Sequence, residues 1–374
     1  MTKRSRARDA SSHEVALTGL TYLISIDIFL FLSFFSVRVE KAIATTTTQA
    51  RIVLIPTLSI MEPFTWSFPD RSTVSGILSI PPGSNYEPKF KPLIVGLHGG
   101  GYDCQYFDGD SRHTAKIASK GLGVPFIAID RPCYGGTSSV LPIPPGSSFI
   151  TESASRLHSH ILPHLWTKYG MPEACTCVVL LCHSLGVAVG VATAAAHAKD
   201  ETPEYPLGGL IVSGLGHQQH PDALGATATV EDEPTAFITM PVEVKDKVMF
   251  RPGTVDSTIL QQSERLNRPV PVTEIDAIIK AWIPQWRETW GAYVTVPVLF
   301  AMAELDLYFL GTQEHVEECV QAFPRSKGVE GIVVRGAPHC MELSHWSSGW
   351  YARCFGFAIE CAATYGYGGI VNHM

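Results

Sequence analysis

Apolar and polar positions along the chain form short apolar runs, separated by segments with helical spacing. In residues 150–169, apolar side chains recur every three or four positions, which indicates one face of a helix. Apolar runs bounded by turn-forming residues predict buried strands. We predict strands at residues 51–60, 73–80, 92–97, 124–130, 178–181, 207–213, 296–302 and 331–334, and further helices ending near 121 and covering 312–323 and 344–364.

This alternation of strands and helices predicts an α/β fold with a mostly parallel central sheet flanked by helices. The rhythm is broken over residues 217–295, which are rich in proline and carry Trp282, Trp286 and Trp290 on one helix face. We therefore expect a core formed by residues 50–216 and 296–374, with residues 217–295 inserted as a cap. The tryptophan stripe favours packing in the core or cap, with the lining of an apolar substrate pocket as the alternative.

The first 49 residues have a different pattern. A basic stretch precedes residues 16–37, which are almost wholly apolar and long enough to span a bilayer, although Asp27 interrupts them. The basic flank would place the N-terminus on the cytoplasmic side. We interpret residues 1–49 as a targeting or anchor segment followed by a threonine-rich linker. A signal peptide cleaved near Ala42–Ala44 and a soluble extension remain alternatives, so a secreted or cytoplasmic location stays open beside a membrane-anchored one.

Composition excludes several classes of function. The 374 residues are 45% hydrophobic and 17% charged, and the formal net charge of −7 argues against a nucleic-acid partner. The nine cysteines are odd in number and show neither a C-x-x-C pair nor metal-ligand spacing, so free thiols are expected. No phosphate-binding or dinucleotide-binding glycine motif occurs. We therefore expect no metal and no organic cofactor, and the sequence gives no indication of an oligomeric state.

The chain is organised around residues 177–190, in which an apolar run leads into Cys182-His183-Ser184-Leu185-Gly186 and then into small residues at helical spacing. This pattern predicts a strand, a tight turn and a helix, with the Ser184 hydroxyl exposed at a helix N-terminus that favours negative charge. It matches the nucleophile elbow G-x-S-x-G, with Cys182 in place of the first glycine. An ordinary turn with a capping serine is the alternative.

Three other loops follow predicted strands and carry residues that could assist a serine nucleophile, namely glycines, an aspartate and a histidine. His98-Gly99-Gly100-Gly101 follows the strand at 92–97, Asp306 follows 296–302, and His339 follows 331–334. Because reactive groups in parallel sheets lie beyond the strand C-termini, these loops are expected at one edge of the sheet. A serine needs a base to remove its proton, a histidine can act near neutral pH, and a carboxylate can orient that histidine.

Four loops resemble the signature loops of the α/β-hydrolase fold, and the resemblance covers residues 50–365. They are Leu97-His98-Gly99-Gly100-Gly101, Cys182-His183-Ser184-Leu185-Gly186, Ala303-Glu304-Leu305-Asp306 and Gly336-Ala337-Pro338-His339. The order Ser184, Asp306, His339 is also that of the family. More loosely, the chain is similar to hydrolases of fungal secondary-metabolite pathways.

The resemblance implies a catalytic triad of Ser184, His339 and Asp306. It implies an oxyanion hole made by the backbone N–H of Leu185 and of Gly100 or Gly101. Glu304 is the alternative acid, which the family pattern G-E-x-D disfavours. His345 is a weaker alternative base. His98 and His183 are expected to support the site, and no metal is implied.

The function expected on these grounds is hydrolysis of an ester, thioester or lactone of a small, apolar acyl substrate through an acyl-enzyme. The same triad could transfer the acyl group to an alcohol or amine, or hydrolyse a C–C bond. A ligand-binding protein that has lost catalysis is the alternative from another class. Epoxide hydrolysis and dehalogenation are disfavoured, because those members of the fold carry an aspartate where this chain has Ser184.

Overall fold

The computed structural model describes residues 61–82, 88–222 and 235–372. The predicted strand at 51–60, the apolar segment 16–37 and the rest of the N-terminal region lie outside these residues. Among the helices that are described, none combines the length and the apolar character needed to cross a bilayer.

Ten strands are described. They are β1 (Glu62–Ser67), β2 (Thr73–Ser79), β3 (Pro92–Leu97), β4 (Phe126–Ile129), β5 (Cys177–His183), β6 (Leu207–Ser213), β7 (Phe237–Ile238), β8 (Val270–Pro271), β9 (Val298–Ala303) and β10 (Val329–Val334).

Eight of the strands form one sheet in the order β1-β2-β4-β3-β5-β6-β9-β10. The pairs β1–β2 and β2–β4 are antiparallel, and the other neighbours in this sheet are parallel. β7 and β8 form a separate antiparallel pair. The predicted fold class, a mostly parallel sheet flanked by helices, is therefore confirmed.

The α-helices of the described residues are α1 (Ala115–Leu122), α2 (Phe149–Arg156), α3 (Leu162–Leu165), α4 (Leu185–Lys199), α5 (Val242–Met249), α6 (Ser257–Leu260), α7 (Val272–Ala277), α8 (Ile283–Thr289), α9 (Gln313–Val320) and α10 (Ser347–Asn372). Wider π-helical turns at Leu157–Ile161, Trp166–Gly170 and Ile278–Trp282 continue neighbouring helices, and short 3₁₀ turns lie at Cys104–Phe107, Gly291–Tyr293 and Met341–Leu343.

The central strands are buried on both faces. Every residue of β3, β5, β6 and β9 is buried, which explains why these strands have continuous apolar runs rather than alternating patterns. One hydrophobic cluster packs α4 and the helical stretch 149–170 against one face. A second cluster packs α1 and α10 against the other. The parallel arrangement brings the C-terminal ends of β3, β5, β9 and β10 to one edge.

Two local features differ from the sequence predictions. β1 was not predicted as a strand: its residues alternate between exposed and half-buried positions, but the run is short and contains Pro63, which is tolerated here because β1 lies at the sheet edge. α10 begins at Ser347, three residues after the predicted start at 344, and it extends to Asn372.

The tryptophan stripe lies largely in the core. Trp282 and Trp286 are buried with ring centroids 4.7 Å apart, and the Trp282 indole N–H donates to the Gly216 carbonyl at 2.9 Å. Trp290 is also mostly buried. It lines a groove of about 530 Å³ between residues 143–151 and 273–290, and that groove has none of the predicted triad residues in its lining.

Candidate active site

Ser184 occupies a strained turn between β5 and α4. Its backbone has φ 51° and ψ −127°, a region that residues with side chains rarely adopt and that often marks functional sites. The turn is held by the Ser184 N–H, which donates to the Ser213 carbonyl of β6 at 2.8 Å. A Cβ on Gly186 would lie 2.5 Å from the Leu97 carbonyl oxygen, so only glycine lets α4 start this close to β3. The Ser184 side chain remains partly exposed.

Cys182, which stands where the usual motif has glycine, is accommodated by another glycine. A Cβ built on Gly190 would lie 2.3 Å from the Cys182 sulfur, so α4 presents an open position opposite the thiol. The thiol is fully buried, and burial raises its pKa, so it stays protonated. All nine cysteines lie in the described residues, and all are free.

His339 lies between Ser184 and Asp306. Its Nε2 is 3.0 Å from the Ser184 Oγ, and its Nδ1 is 2.6 Å from an oxygen of Asp306. The other Asp306 oxygen accepts from the backbone N–H groups of Tyr308 and Phe309, at 2.7 and 3.3 Å. His339 and Asp306 are buried. The three side chains thus form one hydrogen-bonded chain, in which the His339 Nε2 is placed to accept the Ser184 proton and Asp306 is placed to orient the imidazole and stabilise its charge.

The two alternative groups considered from the sequence lie elsewhere. Glu304 is exposed, and its carboxylate accepts from the Gly336 N–H at 2.7 Å, in the loop that leads to His339. His345 is also exposed, with its Nδ1 4.0 Å from Asp256. The contacts of Glu304 and His345 are therefore with other residues, whereas His339 contacts both Ser184 and Asp306.

The glycine loop after β3 lies against the elbow. A Cβ on Gly99 would be 2.8 Å from the Ser184 Cβ, and one on Gly100 would be 2.5 Å from the Leu185 side chain. Gly101 has φ +72°, which favours glycine. The loop predicted to supply oxyanion donors is therefore packed directly against the predicted nucleophile and Leu185.

His98 anchors the start of this loop. Its Nε2 accepts from the Arg131 backbone N–H at 3.1 Å, so Nδ1 carries the proton and donates to the Gly99 carbonyl at 2.8 Å. Burial, with the charge of Arg131, lowers the pKa of His98 and keeps it neutral. His98 is thus a structural support of the loop and does not face the serine hydroxyl as a base.

The His183 ring packs between the rings of Tyr106 and His339. Its ring stacks on Tyr106, with centroids 4.7 Å apart, and lies 4.8 Å from the His339 ring. Burial and the neighbouring His339 lower the pKa of His183, so it packs as a neutral ring.

Behind this pair lies a buried carboxyl that the sequence interpretation missed. Glu342 is fully buried and accepts from the Tyr106 hydroxyl at 2.6 Å and the Trp350 indole at 2.9 Å. Its Oε2 is 3.8 Å from the His183 Nδ1. Burial raises the pKa of Glu342. The available signal in the sequence was a carboxyl residue three positions after His339, placed between the apolar residues Met341 and Leu343.

Gly214 was also missed. It follows β6 with φ +72°, and a Cβ there would lie 3.1 Å from the His339 ring and 3.2 Å from the His183 ring. The position therefore leaves room for both imidazoles. A glycine directly after a buried strand was the available signal.

Residues 235–293, called here the 235–293 segment, make up most of the described part of the predicted insertion 217–295, and they reach the glycine loop through two buried charged groups. Glu274 of α7 accepts from the guanidinium of Arg131, whose Nε donates to the His98 carbonyl at 2.6 Å. Lys245 of α5 donates to the Gly101 carbonyl. The carbonyls at both ends of the loop are thus held by cationic side chains. Sequence patterns gave no signal for these pairs, because the partners lie more than 30 residues apart.

Two clusters among the described residues have ligand types suited to a metal. In the first, Asp103, Cys104 and Asp130, the carboxylates are engaged by Arg268 and by the Ser75 hydroxyl.

The second is formed by His217, His315 and Cys319, whose donor atoms lie within 4.8 Å of one another. However, the His315 Nε2 already accepts from the backbone N–H groups of His217 and Gln218, at 3.2 and 3.1 Å. Arg287 also places a positive charge against His217. The His315 Nε2 is thus already used as a hydrogen-bond acceptor, and the positive charge of Arg287 beside His217 disfavours a bound cation.

Comparisons with known proteins agree with this architecture. A family model described as the alpha/beta hydrolase family matches residues 94–349, which is more than half of the chain. No curated protein matches the sequence. A soluble variant of monoglyceride lipase from Saccharomyces cerevisiae, crystallised with a substrate analogue, is similar in structure, with a TM-score of 0.60 and 14% identity over 82% of this chain and 96% of that chain. The lip1 protein of Acinetobacter baumannii AYE, described as a lipase, has a TM-score of 0.51 and 14% identity over 81% of this chain and 93% of that one.

At such identities the structural likeness concerns the fold, whereas the family match concerns the sequence itself. The matched residues include the glycine loop, the elbow at Ser184 and the loops that carry Asp306 and His339. The fold expected from these loops is confirmed, and the protein belongs to the α/β-hydrolase family.

Proposed function

We propose that the protein is a serine hydrolase that cleaves esters, thioesters or lactones through an acyl-enzyme on Ser184. The observation that carries the proposal is the hydrogen-bonded chain from Ser184 through His339 to Asp306. A hydroxyl at a strained turn, at the N-terminus of a helix, is exposed to substrate and lies where negative charge is favoured.

The proposed reaction has two stages. His339 removes the Ser184 proton as the oxygen attacks the substrate carbonyl carbon, and the carbonyl oxygen becomes an oxyanion. The C–O or C–S bond to the leaving group then breaks, and His339 gives the leaving group its proton. Water, activated by His339, attacks the acyl-enzyme, and the serine leaves with the proton returned to it. Asp306 stabilises the imidazolium throughout.

The oxyanion would be stabilised by the backbone N–H groups of Leu185 and of Gly100 or Gly101. The packing of Gly99 and Gly100 against Ser184 and Leu185 supports this assignment. Val270, whose methyl would lie 3.6 Å from a Cβ on Gly100, and the partly exposed Leu185 give the same region an apolar surface. An apolar acyl group is therefore the substrate class we propose.

We further propose that residues 217–295 form a cap over this edge of the sheet. Support comes from the described part of the segment, which contacts the glycine loop through Lys245 and Val270, and reaches Arg131 through Glu274. A cap of this kind would exclude water and shape the acyl site. A role in secondary metabolism stays a prediction from the sequence.

The experiment combines labelling with turnover. Purified protein is treated with a fluorophosphonate and assayed on p-nitrophenyl esters of increasing chain length. We expect one label on Ser184 and a preference for apolar acyl chains. Ser184→Ala should abolish labelling and lower kcat by on the order of 10⁴–10⁶. Ser111→Ala, at an exposed serine outside the site, serves as the control.

The proposal fails if Ser184→Ala retains near-full turnover of an ester that the parent protein hydrolyses. Adding an alcohol or amine to the assay separates hydrolysis from acyl transfer, because a transferase would form the new ester or amide faster than the free acid.

A further inference from the structure

Lys245 is a buried lysine beside the glycine loop. It lies on α5 within the 235–293 segment, and it is 2% exposed. Its Nζ donates to the Gly101 carbonyl and, at 2.8 Å, to the Leu266 carbonyl. The ammonium also lies 3.5 Å from the centroid of the Tyr102 ring, in the geometry of a cation–π contact. Its direct partners are therefore two carbonyl oxygens and a ring face.

The charged groups around Lys245 are engaged with other residues. Asp246 accepts from the Ser263 hydroxyl at 2.7 Å, and Asp103 pairs with Arg268. The Cys340 thiol, whose pKa is raised by burial, contacts the Tyr102 hydroxyl at 3.5 Å. These groups, with Tyr102 itself and the buried His98, whose pKa the charge of Lys245 helps to lower, are the titratable and charged neighbours of the ammonium. The positive charge therefore remains largely uncompensated by a close carboxylate.

Such a charge carries an energetic penalty. Burial lowers the pKa of Lys245 to about 8, and Cys340, Asp246 and Asp103 offset only part of the effect. An unbranched apolar side chain of similar length would fill the same space without this penalty. Packing alone therefore does not account for a lysine at this position.

The position of the ammonium offers a functional explanation. Gly101 has φ +72° and no Cβ, so the residue itself does not fix the orientation of its carbonyl as a residue with a side chain would. A carbonyl turned toward Ser184 would repel the oxyanion. Lys245, together with the Arg268 N–H at 3.0 Å, holds the Gly101 carbonyl toward the 235–293 segment. In a buried site, the same positive charge is weakly screened and favours nearby negative charge.

We propose that Lys245 is a positioning residue for the reaction: it fixes the orientation of the glycine loop and adds a positive charge that strengthens the stabilisation of the oxyanion. The inference rests on the proposed function, because it needs an oxyanion at Ser184. It assigns to the 235–293 segment a direct effect on the chemical step, beyond shaping the acyl site.

The test compares Lys245→Met with Lys247→Met. Lys247 lies on the same helix but is exposed, so it is a matched control for loss of one lysine. For Lys245→Met we expect kcat to fall about 10–100-fold with KM within about twofold, because the lost interaction acts on the oxyanion and not on the bound ester. Lys247→Met should behave as the parent protein.

The pH profile separates charge from packing. In the parent protein, kcat should decline above an apparent pKa near 8, as Lys245 loses its proton. This decline should be absent in Lys245→Met. Lys245→Arg, which keeps a charge that does not titrate in this range, should restore part of kcat and remove the alkaline decline. Thermal unfolding of each variant shows whether it is folded, and the parent and Lys245→Met profiles suffice if the arginine does not fit.

The inference is overturned by an unchanged kcat in folded Lys245→Met, or by the same alkaline decline in that variant as in the parent. A change in KM alone would also overturn it, since that result assigns Lys245 to the shape of the acyl site. Failure of the proposed function looks different, because the parent protein would then neither hydrolyse esters nor react with the fluorophosphonate at Ser184.

Discussion

The sulfur of Cys182 fills the space that a side chain at Gly190 would need. A Cβ on Gly190 would lie 2.3 Å from that sulfur, although the two residues belong to different elements, β5 and α4. The departure from the usual elbow motif is thus compensated eight positions further along the chain. The turn at Ser184 keeps its geometry because the helix, and not the turn, makes room for the thiol.

This relationship predicts a strong coupling between the two positions. Gly190→Ala alone should destabilise the protein by about 1–3 kcal/mol through overpacking, although alanine is the better helix former. In a Cys182→Gly background the same change should be nearly neutral or stabilising. Denaturant unfolding of the four proteins of this double-mutant cycle measures the coupling, and simple additivity would contradict the packing argument.

The second prediction concerns the acid of the proposed triad. Asp306→Asn should lower kcat by on the order of 10³–10⁴, because the amide favours the wrong tautomer of His339. Glu304→Gln should have a far smaller effect, since Glu304 holds the Gly336 N–H at the surface. Steady-state kinetics with one ester compares the two variants, and a reversed ranking would move the acid to Glu304.

Gly214 should affect catalysis through the position of two rings. Gly214→Ala introduces a Cβ 3.1 Å from the His339 ring, and we expect kcat to fall about 10–100-fold from misplacement of the imidazole. Gly253→Ala is a matched control, because Gly253 has a similar φ of +79° but no atom within 4 Å of the added Cβ.

Both alanine variants should lose about 1–2 kcal/mol of stability from the left-handed backbone. Only Gly214→Ala should lose turnover. Equal kcat values in the two folded variants would show that the space beside His339 is not needed.

The stability contributed by Lys245 should depend on pH. Its pKa is about 8 in the folded state and near 10.5 in the unfolded chain, so the unfolded state keeps a proton that the folded state releases between these values. The free energy of unfolding of the parent, relative to Lys245→Met, should therefore rise across that window by up to ~3 kcal/mol. Below pH 8 the full penalty of the buried charge applies.

Thermal or urea unfolding at pH 7 and pH 10 measures this difference. Lys247→Met, at an exposed position, should show no comparable trend. A pH-independent difference between the parent and Lys245→Met would mean that Lys245 titrates normally in the folded protein.

Removal of the N-terminal region tests the predicted domain boundary. A protein comprising residues 46–374 should be active on the same esters, because the predicted site residues all lie downstream of residue 97. Turnover and circular dichroism of this truncated protein decide the matter. A folded but inactive product would show that residues 1–45 contribute to the site.

The sequence indicated those parts of the candidate site that are encoded locally. Ser184, Asp306 and His339 each follow a strongly apolar run, so the parallel sheet itself brings them to one edge. The strand at 62–67 was missed although Phe64 and Trp66 alternate with polar residues, because the run is short and contains Pro63, which is tolerated at a sheet edge but weakens a strand prediction. Lys245, Glu274 and Arg131 could not be predicted either. Their importance arises from contacts between distant residues, such as the 144-residue separation of Lys245 from Gly101.

The two cationic side chains that hold the ends of the glycine loop limit how this protein could be re-engineered. The His98 carbonyl is held by Arg131, which is neutralised by Glu274, and the Gly101 carbonyl is held by Lys245. A chimera that replaced residues 235–293 with the corresponding stretch of another hydrolase would strand the Arg131 guanidinium in the core and release one end of the loop. A graft that retains both the glutamate and the lysine should keep turnover while exchanging specificity, whereas a graft lacking them should bind its substrate and turn it over poorly.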